Sequence, residues 1–179
     1  MVIRGSIVTL RPARESDRRA VYRWLAESDV TQSMMGPPLF PDTPAPTWDE
    51  FCEDYGPHFF DGTRHQVGRS YIIEVDGEAV GHVNYDGMDL VQNTAELDIW
   101  LCCEKVCGRG YGPDALVALT SYLHEAFGIT EFIIRPSRRN ARAIHAYAKA
   151  GFTLLPPSNG QQTEVYGPGD YADAIVMRK

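Results

Sequence analysis

The stretch Gly108-Arg109-Gly110-Tyr111-Gly112 limits the architectures open to this chain more than any other. It follows an alternating run, Ala95 to Cys102, in which Leu97, Ile99 and Leu101 share one face and Glu96, Asp98 and Trp100 the other. It then opens a run of helical period that lasts to about Phe127. Glycines at alternate positions let a backbone turn tightly and come close to a ligand. The first N–H groups of a helix have no partner within it, and with the helix dipole they form an anion site suited to a pyrophosphate. Arg109 adds a cation. The spacing departs from two better-known phosphate loops. A P-loop needs a Lys and a hydroxyl after its last glycine, and the dinucleotide fingerprint needs Gly-x-Gly-x-x-Gly. A plain tight turn remains the alternative.

The rest of the chain predicts the frame around that loop. Ile3 to Leu10 alternates like an edge strand. After Pro12 and Ser16-Asp17, the residues Ala20, Val21, Trp24 and Leu25 have helical spacing. Proline crowds Gly36 to Pro46, which must be a loop. Thr47 and Glu50 read as a capping box for a helix carrying Trp48, Phe51, Cys52 and Tyr55. Gly56-Pro57 should end it. Ser70 to Val75 and Ala79 to Tyr85 flank the turn Asp76-Gly77, a hairpin signal. A strand from Thr130 to Arg135, a helix from Asn140 to Ala150 stopped by Gly151, and a strand from Tyr171 to Met177 follow. The order predicts one α/β (α+β) domain over residues 1–179, not the strict alternation of a doubly wound fold.

Charge and cysteine content narrow the partners. A net charge of -7 argues against nucleic acid and suits a cationic substrate. Cys52, Cys102, Cys103 and Cys107 form no Cys-x-x-Cys pair and have no nearby histidines, so no metal site is expected. Cys102 and Cys103 fall on opposite faces if a strand continues through them. No stretch approaches the roughly 20 apolar residues of a membrane helix, and the first ten residues lack a signal-peptide core. The expected setting is the cytoplasm, with reduced thiols.

A second constellation makes the loop specific. The segment from Ile134 to Phe152 contains Asn140, Ala143, Tyr147, Gly151 and Phe152 in the pattern Asn-x-x-Ala-x-x-x-Tyr-x-x-x-Gly-Phe. This resembles the C-terminal signature of the GNAT N-acetyltransferase superfamily. Ala95 to Leu101 and Gly108 to Gly112 are similar to that family's central strand and acetyl-CoA pyrophosphate loop. Leu10-Arg11-Pro12 and the Pro136-Ser137 to Phe152 segment look most like the branch of aminoglycoside 6′-N-acetyltransferases and RimJ/RimL-type protein N-terminal acetyltransferases. One departure is Cys107, where the family usually carries Gln or Arg. The resemblance implies the GNAT fold: a mixed, mostly antiparallel sheet of about seven strands with helices on both faces.

It also implies an activity, transfer of acetyl from acetyl-CoA to a primary amine. The acceptor would be a small cation or a protein N-terminus, and the enzyme a monomer or homodimer without a metal. Tyr147 is the implied general acid. Glu96 and Asp98, two carboxylates on one face of a central strand, are costly there unless a cleft exposes them; either is a candidate base or amine anchor. Backbone at Trp100, Leu101 and Cys102 is implied to pair with the pantetheine arm like an added strand. The loop Cys107, Gly108, Arg109, Gly110, Tyr111 and Gly112 is implied to hold the pyrophosphate. Asn140 and Ala143 are implied to contact the same arm, and Asn140 reads equally as a helix N-cap. Arg138, Arg139 and Arg142 are candidates for the 3′-phosphate or are simply solvated, and Trp48, Tyr55, Phe59 and Phe60 are candidates for walls of the acceptor site, with plain packing an equal reading. Ile144 and Ala148 are expected to face the core beside Tyr147. His82, His124 and His145 sit in regular elements without an evident partner. The competing expectation is a catalytically idle domain that binds acyl-CoA or an antibiotic.

Overall fold

The computed structural model describes residues 1–31, 45–155 and 174–179. Most of the expected proline-rich loop and the start of the expected last strand lie outside them. The described strands form one sheet in the order β1-β2-β3-β4-β5-β6-β8-β7. They are β1 (Ile3–Arg4), β2 (Thr9–Pro12), β3 (Gly68–Val75), β4 (Glu78–Asp89), β5 (Thr94–Leu101), β6 (Glu131–Ile134), β7 (Thr153–Leu154) and β8 (Met177–Arg178). Every neighbouring pair is antiparallel except β5 with β6. The helices are α1 (Arg18–Ala26), α2 (Trp48–Asp54), α3 (His58–Asp61), α4 (Tyr111–Phe127) and α5 (Ala141–Lys149). None of the described helices is long and apolar enough to cross a membrane.

Strand alternation sends side chains into two cores. Tyr71, Val83, Leu97 and Ile99 meet Leu116, Leu119 and Leu123 of α4, with Tyr147 of α5 and Phe152 beyond it. Ile72 and Trp100 point the other way, towards Val21 and Tyr22 of α1, Phe51 of α2, and Phe59 and Phe60 of α3. Helices thus cover both faces, and the sheet has eight strands where about seven were expected.

Three expectations about local structure need correction. The single N-terminal strand is a hairpin, with β1 turning back onto β2 so that Ile3 faces Leu10. Its turn is held from outside: the Asp114 carboxylate accepts the backbone N–H groups of Ser6, Ile7 and Val8 at 2.9, 2.8 and 2.9 Å. Cys102 and Cys103 lie past the end of β5, where the chain leaves the sheet, and their sulfurs come within 3.6 Å instead of pointing apart. Burial pushes the Cys102 thiol up to about 12, so it stays protonated. On α5, Ile144 packs on the core but Ala148 is exposed. The Thr47 capping box is present as expected, with Glu50 N–H donating to Thr47 Oγ1 and Thr47 N–H to Glu50 Oε2 at 3.3 and 2.7 Å.

Candidate active site

The site begins where two strands part. β5 runs beside β6 only from Thr94 to Leu97, yet it continues to Leu101 beside β4. Beyond Ile134 the chain joins the C-terminal segment instead: Ile175 N–H donates to Pro136 O at 3.0 Å, and Ser137 bridges Ala174. The upper half of β5 is therefore left without a strand on that side among the described residues.

Register decides which backbone groups face the opening. Cys102 N–H donates to Val80 O of the β4 side at 2.9 Å. In an antiparallel ladder the bonded residues alternate, so Trp100 and Cys102 are both directed at β4. Ile99 and Leu101 direct theirs into the gap. Ile99 N–H is taken by the Asp98 side chain at 2.8 Å, which leaves Leu101 as the donor aimed at the opening. Of Trp100, Leu101 and Cys102, expected to pair with the arm, Leu101 is the one whose backbone N–H turns to the opening.

The loop supplies the next wall. Gly108 and Gly110 have φ of 74° and 85°, left-handed values that disfavour any residue with a Cβ. Gly110 caps α4 without a side chain, Pro113 brings no N–H, and the N–H groups of Tyr111 and Gly112 are left for an anion. Cys107, Gly108, Gly110, Tyr111 and Gly112 line the cleft with Trp100, Leu101, Asn140, Ala143 and Tyr147. Val30, Arg142 and His145 join them. Arg109 and Cys102 do not; Arg109 Nε donates to Lys105 O at 3.1 Å. Asn140 is the N-cap of α5, its Oδ1 accepting Ala143 N–H at 3.0 Å. Arg142 is paired with Glu104 across the mouth. The open strand edge, the bare helix start and the narrow groove between α4 and α5 suit an extended pantetheine-like arm ending in a pyrophosphate.

The two carboxylates have unlike surroundings. Glu96 is ion-paired with Arg135, which follows β6. Burial pushes its carboxyl up, and Arg135 opposes that. Asp98 stands at the point where the strands part. One side of it meets solvent, while protein crowds the rest. That crowding pushes its carboxyl above the usual carboxylate range, against hydrogen bonds from Tyr55 and Ile99 N–H. The Tyr55 hydroxyl donates to Asp98 Oδ2 at 3.0 Å. Tyr147 is 9% exposed. Burial, then the nearby Asp98 charge, raises its phenol far above normal, so it keeps its proton. Leu101 and Tyr147 thus line the cleft, and the Asp98 carboxylate lies close enough for its charge to act on Tyr147.

The face beyond Asp98 is aromatic above and polar below. Tyr55 stacks on Phe51 at 4.9 Å and meets Trp100 edge-on at 5.7 Å. Trp48 is half-buried against Tyr22 and Phe51. Phe59 and Phe60 are core residues, which is the packing role held open for them beside that of walling the acceptor site. Ser70 and Asn84 lie in register with Asp98, and His82 with Trp100. Ser70 Oγ, Asn84 Oδ1, Trp100 Nε1 and both ring nitrogens of His82 are buried and find no hydrogen-bond partner among the described residues. Burial lowers His82 to about 3, so it is neutral. His124 bonds Ile129 O at 2.9 Å and takes no part. Sequence reasoning did not link Tyr55 or Arg135 to the carboxylates, because nothing local in the sequence reports those contacts.

Comparison with known proteins agrees with this geometry. Residues 8–153 match the acetyltransferase (GNAT) domain family. The spermidine N(1)-acetyltransferase of Escherichia coli K12 is 26% identical over 170 residues, 95% of this chain and 84% of that protein. The aminoglycoside N(6′)-acetyltransferase type 1 of Klebsiella pneumoniae is 28% identical over 174 residues, covering 92% and 81%. The solved structure of AAC(6′)-Ib in complex with ribostamycin and coenzyme A has a TM-score of 0.72 at 24% identity, over 97% of this chain and 93% of that one. With a family match running from the edge of β2 to the start of β7, on a cleft built from a parted strand pair and a glycine-rich helix start, the chain belongs to the GNAT acetyltransferase family.

Proposed function

We propose that the protein transfers the acetyl group of acetyl-CoA to a primary amine of a small polycation, polyamine- or aminoglycoside-like. The observation that carries this reading is a cleft lined by Leu101 and Tyr147, with the Asp98 carboxylate close enough for its charge to act on Tyr147. When bound, acetyl-CoA supplies an activated acetyl group as a thioester. The N–H groups of Tyr111 and Gly112 hold its pyrophosphate, the edge of β5 at Ile99 and Leu101 pairs with its arm, and Asn140 and Ala143 close the groove.

The chain's own groups then divide the proton work. An ammonium near pKa ~10 must lose a proton before it can attack. Asp98 takes that proton, directly or through one water, and its raised affinity for protons suits the task. Leu101 N–H donates to the oxygen that becomes negative during attack. Tyr147 gives its proton to the departing sulfur. Glu96 is held by Arg135 and acts on the acceptor through its charge. A net charge of -7 and the positions of the spermidine and aminoglycoside enzymes among the relatives support a cationic acceptor over a protein N-terminus. The same reading takes residues 1–179 as one domain, a monomer or homodimer in the cytoplasm, with no membrane or nucleic-acid partner.

The test is acetyl-CoA calorimetry followed by thiol release with spermidine, ribostamycin and an N-terminal peptide. Binding with release on either cation is the expected result. Release only on the peptide would move the acceptor class. Binding without release on any amine would favour the idle, ligand-binding alternative.

A further inference from the structure

We infer that Tyr55 is a positioning residue for the Asp98 carboxylate, so that the segment walling the acceptor side also orients the base. This rests on the reading of Asp98 as the proton acceptor. Tyr55 is firmly placed. It caps the C-terminus of α2, with its N–H bonded to Phe51 O at 2.8 Å and its carbonyl accepting Arg18 Nη2 of α1 at 2.7 Å. Its ring lies against Phe51 at 4.9 Å, Phe59 at 5.3 Å, Trp100 at 5.7 Å and His82 at 6.0 Å. Two helices and two strands thus fix where the hydroxyl arrives.

The hydroxyl arrives at Asp98 Oδ2 at 3.0 Å, and Oδ1 already accepts Ile99 N–H at 2.8 Å. Each carboxylate oxygen therefore has one donor from a fixed direction. Turning the carboxylate about its own bond breaks both contacts. An ionised carboxylate can accept more than two hydrogen bonds, so lone pairs remain for an amine or a water. A donor to the charged form favours that form, and the hydroxyl offsets part of the penalty that burial imposes on Asp98.

Other charged groups do not supply this control. Glu96 and Asp86 share the sheet face, but Glu96 is committed to Arg135. His82 of β4 is neutral. Tyr147 of α5 keeps its proton and answers to the charge of Asp98. Tyr55 donates directly to the carboxylate from the acceptor side.

The experiment is a ¹³C NMR titration of the aspartate carboxyls in the full chain, with the Asp98 signal assigned by its loss in Asp98→Asn. It needs no acceptor. Tyr55→Phe keeps the ring and removes only the hydroxyl, and unchanged acetyl-CoA affinity by calorimetry shows that the cleft is intact. The expected result is an Asp98 midpoint moved to higher pH, with the acid limb of kcat/KM for spermidine or ribostamycin moving in step. Below that limb the loss is about tenfold, the lower end for a hydrogen bond to a charged group. An unmoved Asp98 midpoint overturns the inference, whatever the rate does. Wild-type turnover by Asp98→Asn overturns the reading of Asp98 as base, which is a separate failure.

Discussion

Replacing Asp114 with alanine isolates a contact that ties the N-terminal hairpin to the helix bearing the candidate phosphate site. The carboxylate accepts three backbone N–H groups, from Ser6, Ile7 and Val8, at 2.8 to 2.9 Å. A hydrogen bond to a charged group contributes about 1.5–3 kcal/mol when buried. Here the Ser6 and Ile7 contacts are exposed and the Val8 contact is half-buried, so water replaces much of the first two. A total of about 2–3 kcal/mol follows. For a domain of this size that lowers Tm by roughly 5–10 °C. Gly5→Ala should act through the same contact, because its Cβ would stand 2.4 Å from Asp114 Oδ2. The pH dependence has a definite sign. Burial pushes Asp114 up, but the backbone donors outweigh it and hold the group below the usual carboxylate range. A depressed carboxylate stabilises fully above its unfolded pKa and loses that contribution as pH falls through its folded pKa. The Tm gap between wild type and Asp114→Ala should thus be widest near neutrality and close in acid. Calorimetric melts from pH 7 downwards measure it. A gap under about 1 °C at pH 7, or one that stays constant into acid, would refute the reasoning. Acetyl-CoA affinity should hold within about threefold, because the carboxylate points at the hairpin and contributes no group to the phosphate site.

Three further outcomes test the site itself. Gly110→Ala must hold a Cβ at φ 85°, costing about 1–2 kcal/mol; calorimetry should show acetyl-CoA affinity falling about tenfold or more, and unchanged affinity would reduce the loop to a turn. Tyr147→Phe should cut kcat about a hundredfold, in the range for a lost general acid, while acetyl-CoA affinity stays the same. Glu96→Gln should lower kcat less than about tenfold but reduce Tm, because the half-buried Arg135 loses its ion pair; a loss as deep as that of Asp98→Asn would exchange the two carboxylates' roles.

The parts of the fold that rest on local chemistry were legible. The Thr47 box, the hairpin at Asp76-Gly77, the two faces of β5 and the Asn140 cap each depend on residues within a few positions of one another. The misread parts depend on distant chain. The N-terminal alternation does not show that Asp114, more than a hundred positions on, will hold a turn at residues 6–8. Hydrophobic pattern alone could not tell that Phe59 and Phe60 face the core. Cys102 and Cys103 alternate only if β5 continues, and it stops at Leu101. The loop and the helix signature were read as two parts of one cofactor site, and residues of Gly108 to Gly112 and of Asn140 to Tyr147 do line a common cleft. The parting of the strands was not legible, because β6 ends at Ile134 between two partners distant in sequence, β5 on one side and the tail strand β8 on the other.

That parting explains why two similar carboxylates serve different ends. Glu96 and Asp98 share a strand face and are both pushed up by burial. Glu96 lies where β6 is still paired, opposite Ile133, and the residue just past the end of that strand, Arg135, reaches it. Asp98 lies one residue beyond the last pair, Leu97 with Ile134, and among the described residues no strand-borne cation is paired with it. Neutral donors serve it instead, Tyr55 and the Ile99 N–H. At Glu96 the Arg135 cation favours the charged form against the rise that burial causes, whereas neutral donors orient Asp98 and leave protonation within reach. On the proposed reading, the same splitting of the sheet that offers an edge to the pantetheine arm leaves Asp98 to exchange a proton and keeps Glu96 beside Arg135.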